Sequence, residues 1–189
     1  MLQFMTVTEQ RASRFDPDIL IVATLGLEEQ FTRDNLTELF MNGVQLPPFV
    51  SGMMKEAGIK ESSRESAIQR RLGAEPFPYR LHAWGYRQIV EACRQRGIVP
   101  VWVYIPNSSQ HELPNQFVKL SRAAREAGFL VLDLRNAYRG SAPGAASLAD
   151  DTIHPGGFGH ELLARSLYDA LLANAEAVKL SGAAATGKQ

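Results

Sequence analysis

Three short runs constrain this chain more than anything else in it. They are Ile19-Leu20-Ile21-Val22-Ala23-Thr24, Val99-Pro100-Val101-Trp102-Val103-Tyr104-Ile105 and Phe129-Leu130-Val131-Leu132-Asp133-Leu134. None alternates apolar with polar residues. A strand that is apolar on both sides must be covered on both, as parallel strands packed between helices are. Pro100 lies near the start of its run, where a missing N–H is tolerated. The segments between the runs carry a helical period. Tyr86, Ile89, Val90 and Cys93 fall at i, i+3, i+4 and i+7, and Arg94-Gln95-Arg96-Gly97 ends that stripe with basic residues and a glycine stop. Phe117, Leu120, Ala124 and Ala127 make a second stripe closed by Gly128, and Leu163, Leu167, Ala170 and Leu171 a third. Helix and strand therefore alternate through the second half, which predicts an α/β fold with ligands at the carboxyl ends of the strands.

Residues 28–80 break this rhythm. Glu28 to Asn42 reads as one helix, and Pro47-Pro48 opens a short second one that ends near Gly58. Glu61 to Arg71 reads as a charged, exposed helix, and Glu75-Pro76-Phe77-Pro78 as a stiff turn. The stretch is predicted to be a helical insertion between the first two strands. Residues 1–180 then form a single domain, and the Gly/Ala-rich tail 181–189 is expected to be disordered. The 189 residues suffice for one hydrophobic core. Lys+Arg and Asp+Glu both number 20, so no global field points to nucleic acid or to an anionic membrane. Lys55, Lys60, Arg64, Arg70 and Arg71 are offset by Glu56, Glu61 and Glu65, as on a mixed helical surface. The opening Met1-Leu2-Gln3-Phe4-Met5 has no basic n-region, and no run approaches the roughly 18–20 apolar residues of a membrane span. A cytoplasmic chain is the default expectation. The single Cys93 lies on an apolar helix stripe and reads as inert core.

The chemistry concentrates in Asp151-Thr152-Ile153-His154-Pro155, followed by Gly159-His160 and an amphipathic helix. Acyl transfer needs a base for its nucleophile, and imidazole titrates near neutral pH. A neighbouring carboxylate fixes the imidazole tautomer and stabilises the imidazolium as it forms. Asp-x-x-His supplies both groups locally. Pro155 stiffens the exit, Gly156-Gly157 permits a tight turn, and Phe158 is expected to anchor it in the core.

A bare Asp-x-x-His is common. The longer string Asp-x-x-His-Pro-x-x-x-Gly-His, leading directly into a Leu/Ala-rich helix, resembles the last conserved block of the SGNH (GDSL-like) hydrolase superfamily. The resemblance extends to Gly97–Pro106 as that family's fourth strand, Phe129–Leu134 as its fifth, and Asp16-Pro17-Asp18-Ile19-Leu20-Ile21-Val22 as the run into its third block. It covers about residues 16 to 27 and 80 to 175. It implies a three-layer α/β/α sandwich of the flavodoxin-like kind and ester hydrolysis without metal or organic cofactor. His154 would be the general base and Asp151 its orienting carboxylate. Substrates would be small-molecule, carbohydrate or lipid esters.

Two departures accompany the resemblance. The family's nucleophile lies in an N-terminal Gly-Asp-Ser block, which occurs nowhere in this chain, and the strands around it are missing too. The family's Gly-x-Asn-Asp, whose Asn serves the oxyanion hole, is Gly26-Leu27-Glu28-Glu29 here. A glutamate there repels a developing oxyanion unless protonated or turned away. Ser51, Ser108 and Ser109 read as loop or capping serines rather than substitutes. Two readings follow: part of a larger hydrolase whose serine lies elsewhere, or an SGNH-like domain retained for binding. A three-strand sheet would leave an open edge at Ile19–Thr24, to be completed by an upstream segment or a partner chain.

The remaining candidates favour plain readings. His82 and His111 lack partners at metal-ligand spacing. His160 is expected to be a neutral, hydrogen-bonded structural residue. Trp84, Tyr86 and Trp102 read as core, and Arg135, Tyr138 and Arg139 as solvated loop residues. No Gly-x-Gly-x-x-Gly or Walker-type loop follows any strand, which argues against a nucleotide site.

Overall fold

The structure is a computed structural model of the 189-residue chain, and it describes residues 1–108, 115–142, 144–149, 151 and 153–178. Three parallel strands form one sheet in the order β1 (Ile19–Leu25), β2 (Val99–Ile105), β3 (Leu130–Asp133). β1 pairs with β2 over seven residues, from Ile19↔Val99 to Leu25↔Ile105, and β2 with β3 from Val101↔Leu130 to Tyr104↔Asp133. β2 is the central strand. It tolerates Pro100 because pairing to β3 begins only at Val101. The helices are α1 (Leu2–Gln10), α2 (Glu28–Met41), α3 (Pro48–Glu56), α4 (Glu65–Leu72), α5 (Phe77–Arg94), α6 (Gln116–Ala127) and α7 (Gly157–Ala173).

Alternation along the strands divides the core in two. Leu20, Val22, Trp102, Tyr104 and Val131 face α1, α5 and α6, where the predicted stripe Tyr86, Ile89, Val90 and Cys93 is fully buried. Burial pushes the Cys93 thiol up to about 11, so it is a poor nucleophile at neutral pH. On the other side Val101, Val103 and Leu132 meet Leu163, Leu167, Ala170 and Leu171 of α7. Helices thus cover both faces of the sheet, the layering of an α/β sandwich. The predicted glycine stops hold: Gly97 and Gly128 have φ of 71° and 104°, in the left-handed region that ends a helix at no Cβ cost.

The segment 28–80 is helical and has its own core, in which Leu36, Val50, Met53, Met54, Ile68, Leu72 and Leu81 pack together. Two details differ from expectation. α4 is shorter than Glu61–Arg71 and not wholly exposed, because Ile68 and Leu72, one turn apart, are buried beneath its charges. Phe77-Pro78 is not a turn but the start of α5, where a proline's missing N–H is one of the helix's unpaired donors anyway. Trp84 stacks on Phe49 at 4.9 Å, between this helical unit and α5. Among the described residues no helix is long and apolar enough to cross a membrane. The tail 181–189 lies outside the described residues.

Candidate functional site

β2 ends at Ile105, and the chain continues through Pro106 and Asn107 to a buried Ser108. The loop that precedes α7 is fastened here. Ser108 Oγ donates to the carbonyl of His154 at 3.2 Å, Ser147 Oγ donates to Ser108 Oγ at 2.9 Å, and Leu148 N–H donates to the same His154 carbonyl at 3.0 Å. Ser147 and Pro155 form an antiparallel bridge, and Gly156 N–H donates to Ala146 O at 2.8 Å. Two glycines of the motif are steric necessities. A Cβ on Gly156 would lie 2.9 Å from Ser147 O, and one on Gly159 would lie 2.1 Å from Ala146 O and 2.8 Å from Pro155 Cβ. Gly157 has nothing within 4 Å of that position. His154 is thereby held at the carboxyl end of the central strand, where α/β sheets bind ligands.

Asp151 and His154 are joined as their spacing predicts. Asp151 Oδ1 accepts the backbone N–H groups of Ile153 at 2.8 Å and His154 at 2.9 Å, and Oδ2 contacts His154 Nδ1 at 2.7 Å. These donors hold the Asp151 carboxyl down at about 2, the backbone N–H of His154 contributing most, then that of Ile153, then the ring. The carboxylate is ionised at neutral pH, so Nδ1 must carry the proton it shares. In the neutral ring Nε2 then holds the lone pair. The His154 side chain is 68% exposed, and Nε2 makes no hydrogen bond among the described residues. An oriented imidazole with an open basic nitrogen is able to take a proton from whatever hydroxyl is brought to it.

No such hydroxyl stands among the described serines. Ser108 is spent on the His154 carbonyl and faces the loop backbone, not the ring. Ser51 donates to Leu46 O from α3 in the helical unit. Ser109 and Thr152 lie outside the described residues, as does His111. Glu28 meets α1 and α5. It begins α2 with a buried carboxylate whose Oε1 lies 3.3 Å from Thr32 Oγ1, 3.5 Å from the Met1 ammonium and 4.0 Å from His82 Nε2. The Glu28 carboxylate is thus committed to Thr32, Met1 and His82.

This polar cluster was not visible in the sequence. Glu28–Thr32 and Pro78–His82 are each one helical turn apart, but nothing in the pattern brings the two turns together. His82 Nδ1 bonds Pro78 O at 2.8 Å, and burial pushes the imidazole down to about 4. Because the folded value lies below the ordinary 6.5, the unfolded chain binds the proton first as pH falls. This part of the stability is whole above about pH 6.5 and is lost towards pH 4, by roughly 3 kcal/mol at most. The urea midpoint is expected to drop between pH 7 and 4.5, and less steeply in His82→Asn, whose amide can keep the bond to Pro78 O.

Other expectations need correction. Phe158 is 49% exposed and does not anchor the loop; Pro155 and Gly159 do so against Ala146. His160 is exposed on α7 and has no side-chain partner among the described residues, so it holds nothing in place. Tyr138 is buried rather than solvated. Arg135 pairs with Asp133 and lies over the Phe117 ring at 3.6 Å. Among the described residues no cluster of three or more His, Cys, Asp or Glu side chains is placed to hold a metal ion. Comparison with family models, with curated proteins and with solved structures returns no match.

Proposed function

We propose that this chain carries the acid–base half of an SGNH-type ester hydrolase built on a flavodoxin-like sheet. The serine comes from a segment of the same protein encoded before these residues. The observation that carries the reading is the His154 Nδ1–Asp151 Oδ2 contact of 2.7 Å, with the carboxylate fixed by two backbone donors and Nε2 left open. In the reaction His154 Nε2 takes the serine proton as Oγ attacks the acyl carbon, then returns it to the leaving alcohol. Asp151 keeps Nδ1 protonated and faces the imidazolium with its negative charge. The substrate class is an ester of an alcohol, sugar or lipid.

The chain by itself is expected to leave p-nitrophenyl acetate unhydrolysed and to escape labelling by a fluorophosphonate. If the coding frame upstream of Met1 contains a Gly-Asp-Ser after an apolar strand, the extended protein should hydrolyse the ester and take the label. Its turnover should then fall about ten-thousand-fold in His154→Ala. Turnover that survives His154→Ala, or an upstream frame without any such serine, would remove the reading. A second reading, a binding domain without catalysis, is favoured by Glu28, which offers no amide donor where an acyl oxyanion would need one.

A further inference from the structure

The two edges of the sheet are built differently. β3 is four residues long and ends at the Asp133–Arg135 ion pair, so shortness and charge blunt its outer side. β1 is seven residues long and keeps an unbroken register with β2. It carries no charge or proline between Ile19 and Leu25. Among the described residues no backbone group outside β2 hydrogen-bonds to these seven residues. Ile21 is 41% exposed and Ala23 is exposed beside it.

An open groove of about 860 Å³ adjoins this edge between α1 and α2, with Ala23, Leu25, Phe31 and Leu39 as its apolar lining. Asp34 and Glu38 stand on its α2 wall. No lysine or arginine lines it; Asp34 pairs with Arg33, the Met1 ammonium is held by Glu28, and the exposed Glu38 has no partner among the described residues. A bare strand edge supplies backbone hydrogen bonds to an added strand, and flanking side chains choose its sequence.

We propose that the β1 edge and its groove take an extended apolar segment of another protein, carrying a lysine or arginine that meets Glu38. The segment adds to the sheet as a strand, with its apolar residues against Ile21, Ala23 and Phe31. The same strand of a second copy fits less well. It carries no charge to meet Glu38 and brings a second α1 and α2 to the same groove. The inference rests on β1 as an outer edge; a strand encoded before Met1 and paired to β1 would fill that edge, the peptide would then fail to bind, and the proposal would be overturned.

The test uses the whole protein and fluorescein-labelled acetyl-Lys-Val-Thr-Val-Ala-Val-Lys-amide, with a control peptide in which glutamate replaces both lysines. By fluorescence anisotropy the basic peptide is expected to bind with a Kd on the order of 10–100 μM and at least about fivefold tighter than the control. Glu38→Lys should remove that preference, and Ala23→Lys, which puts a charge on the edge, should abolish binding. Amide resonances of residues 19–25 should shift on titration. The proposal is overturned if neither peptide binds below about 1 mM, if both bind alike, or if the two variants bind as the parent does. It is equally overturned if the chain sediments as a dimer that Ala23→Lys dissociates, because β1 then pairs with its own copy.

Discussion

Gly159→Ala is expected to destabilise the protein by roughly 2–4 kcal/mol, although the substitution favours a helix by about 1 kcal/mol on propensity alone. Gly159 is the third residue of α7. Its φ is not in the left-handed region, so the cost does not come from backbone strain. It comes from contact: the new Cβ would stand 2.1 Å from Ala146 O and 2.8 Å from Pro155 Cβ, and one of the two atoms is rigid backbone. Relief requires α7 to move away from the loop, which stretches the Gly156 N–H to Ala146 O bond and the Ser147–Pro155 bridge. The loop then loosens under His154. Gly157→Ala is the internal control, since its Cβ would meet nothing within 4 Å. It is expected to be neutral or slightly stabilising. Urea denaturation of the pair measures the difference, and equal midpoints would show that α7 does not press on Ala146. At this chain length the Gly159→Ala loss corresponds to a fall in Tm of about 5–15 °C.

What the sequence discloses and what it hides divide mainly by whether chain neighbours or distant packing fix a feature. Features fixed by neighbours in the chain are legible. The strands agree with the apolar runs to within a residue or so, because a doubly buried strand needs an unbroken apolar string. The stops at Gly97 and Gly128 are legible because a left-handed residue selects glycine. The Asp151–His154 contact is legible because three residues suffice for one carboxylate to accept two backbone N–H groups and a ring nitrogen. Features fixed by distant packing are not. Ser108 and Ser147 are 39 residues apart, and nothing in either serine's surroundings announces that the two fasten the loop. Glu28 shows the same limit. Its place after Gly26 suggests a poor oxyanion site, but its burial against Thr32, Met1 and His82 depends on how α2 meets α5. The buried pair Ile68 and Leu72 is hidden for a second reason. A two-residue apolar stripe is lost among five charged side chains between Glu61 and Arg71.

The site and the proposed strand-binding edge share one rigid support, the central strand β2, and its most heavily committed residue is Trp102. Trp102→Ala is expected to cost about 3–5 kcal/mol, a large share of the roughly 5–15 kcal/mol that holds a domain together. The indole is fully buried, between Tyr86, Tyr104 and Phe117 at centroid distances of 6.4, 6.0 and 6.4 Å. Its Nε1–H donates to Tyr86 Oη at 2.8 Å. Removing the ring opens a cavity and also takes away the donor to a hydroxyl that is itself out of reach of water. Tyr86→Phe makes the converse change. It keeps the packing and leaves the indole N–H without its acceptor, for about 1–3 kcal/mol. If the hydrogen bond is made, the double variant Trp102→Ala/Tyr86→Phe should lose less than the sum of the singles, because no orphaned polar group then remains. Strict additivity in guanidinium unfolding would mean that the indole and the phenol merely pack. A chain that loses β2 in this way should also lose the ordered loop beneath His154, since Ser108, the residue that bonds the His154 carbonyl, continues from that strand's end. The amide resonances of Ile153 and His154 should therefore broaden in Trp102→Ala at temperatures where Tyr86→Phe still gives sharp lines.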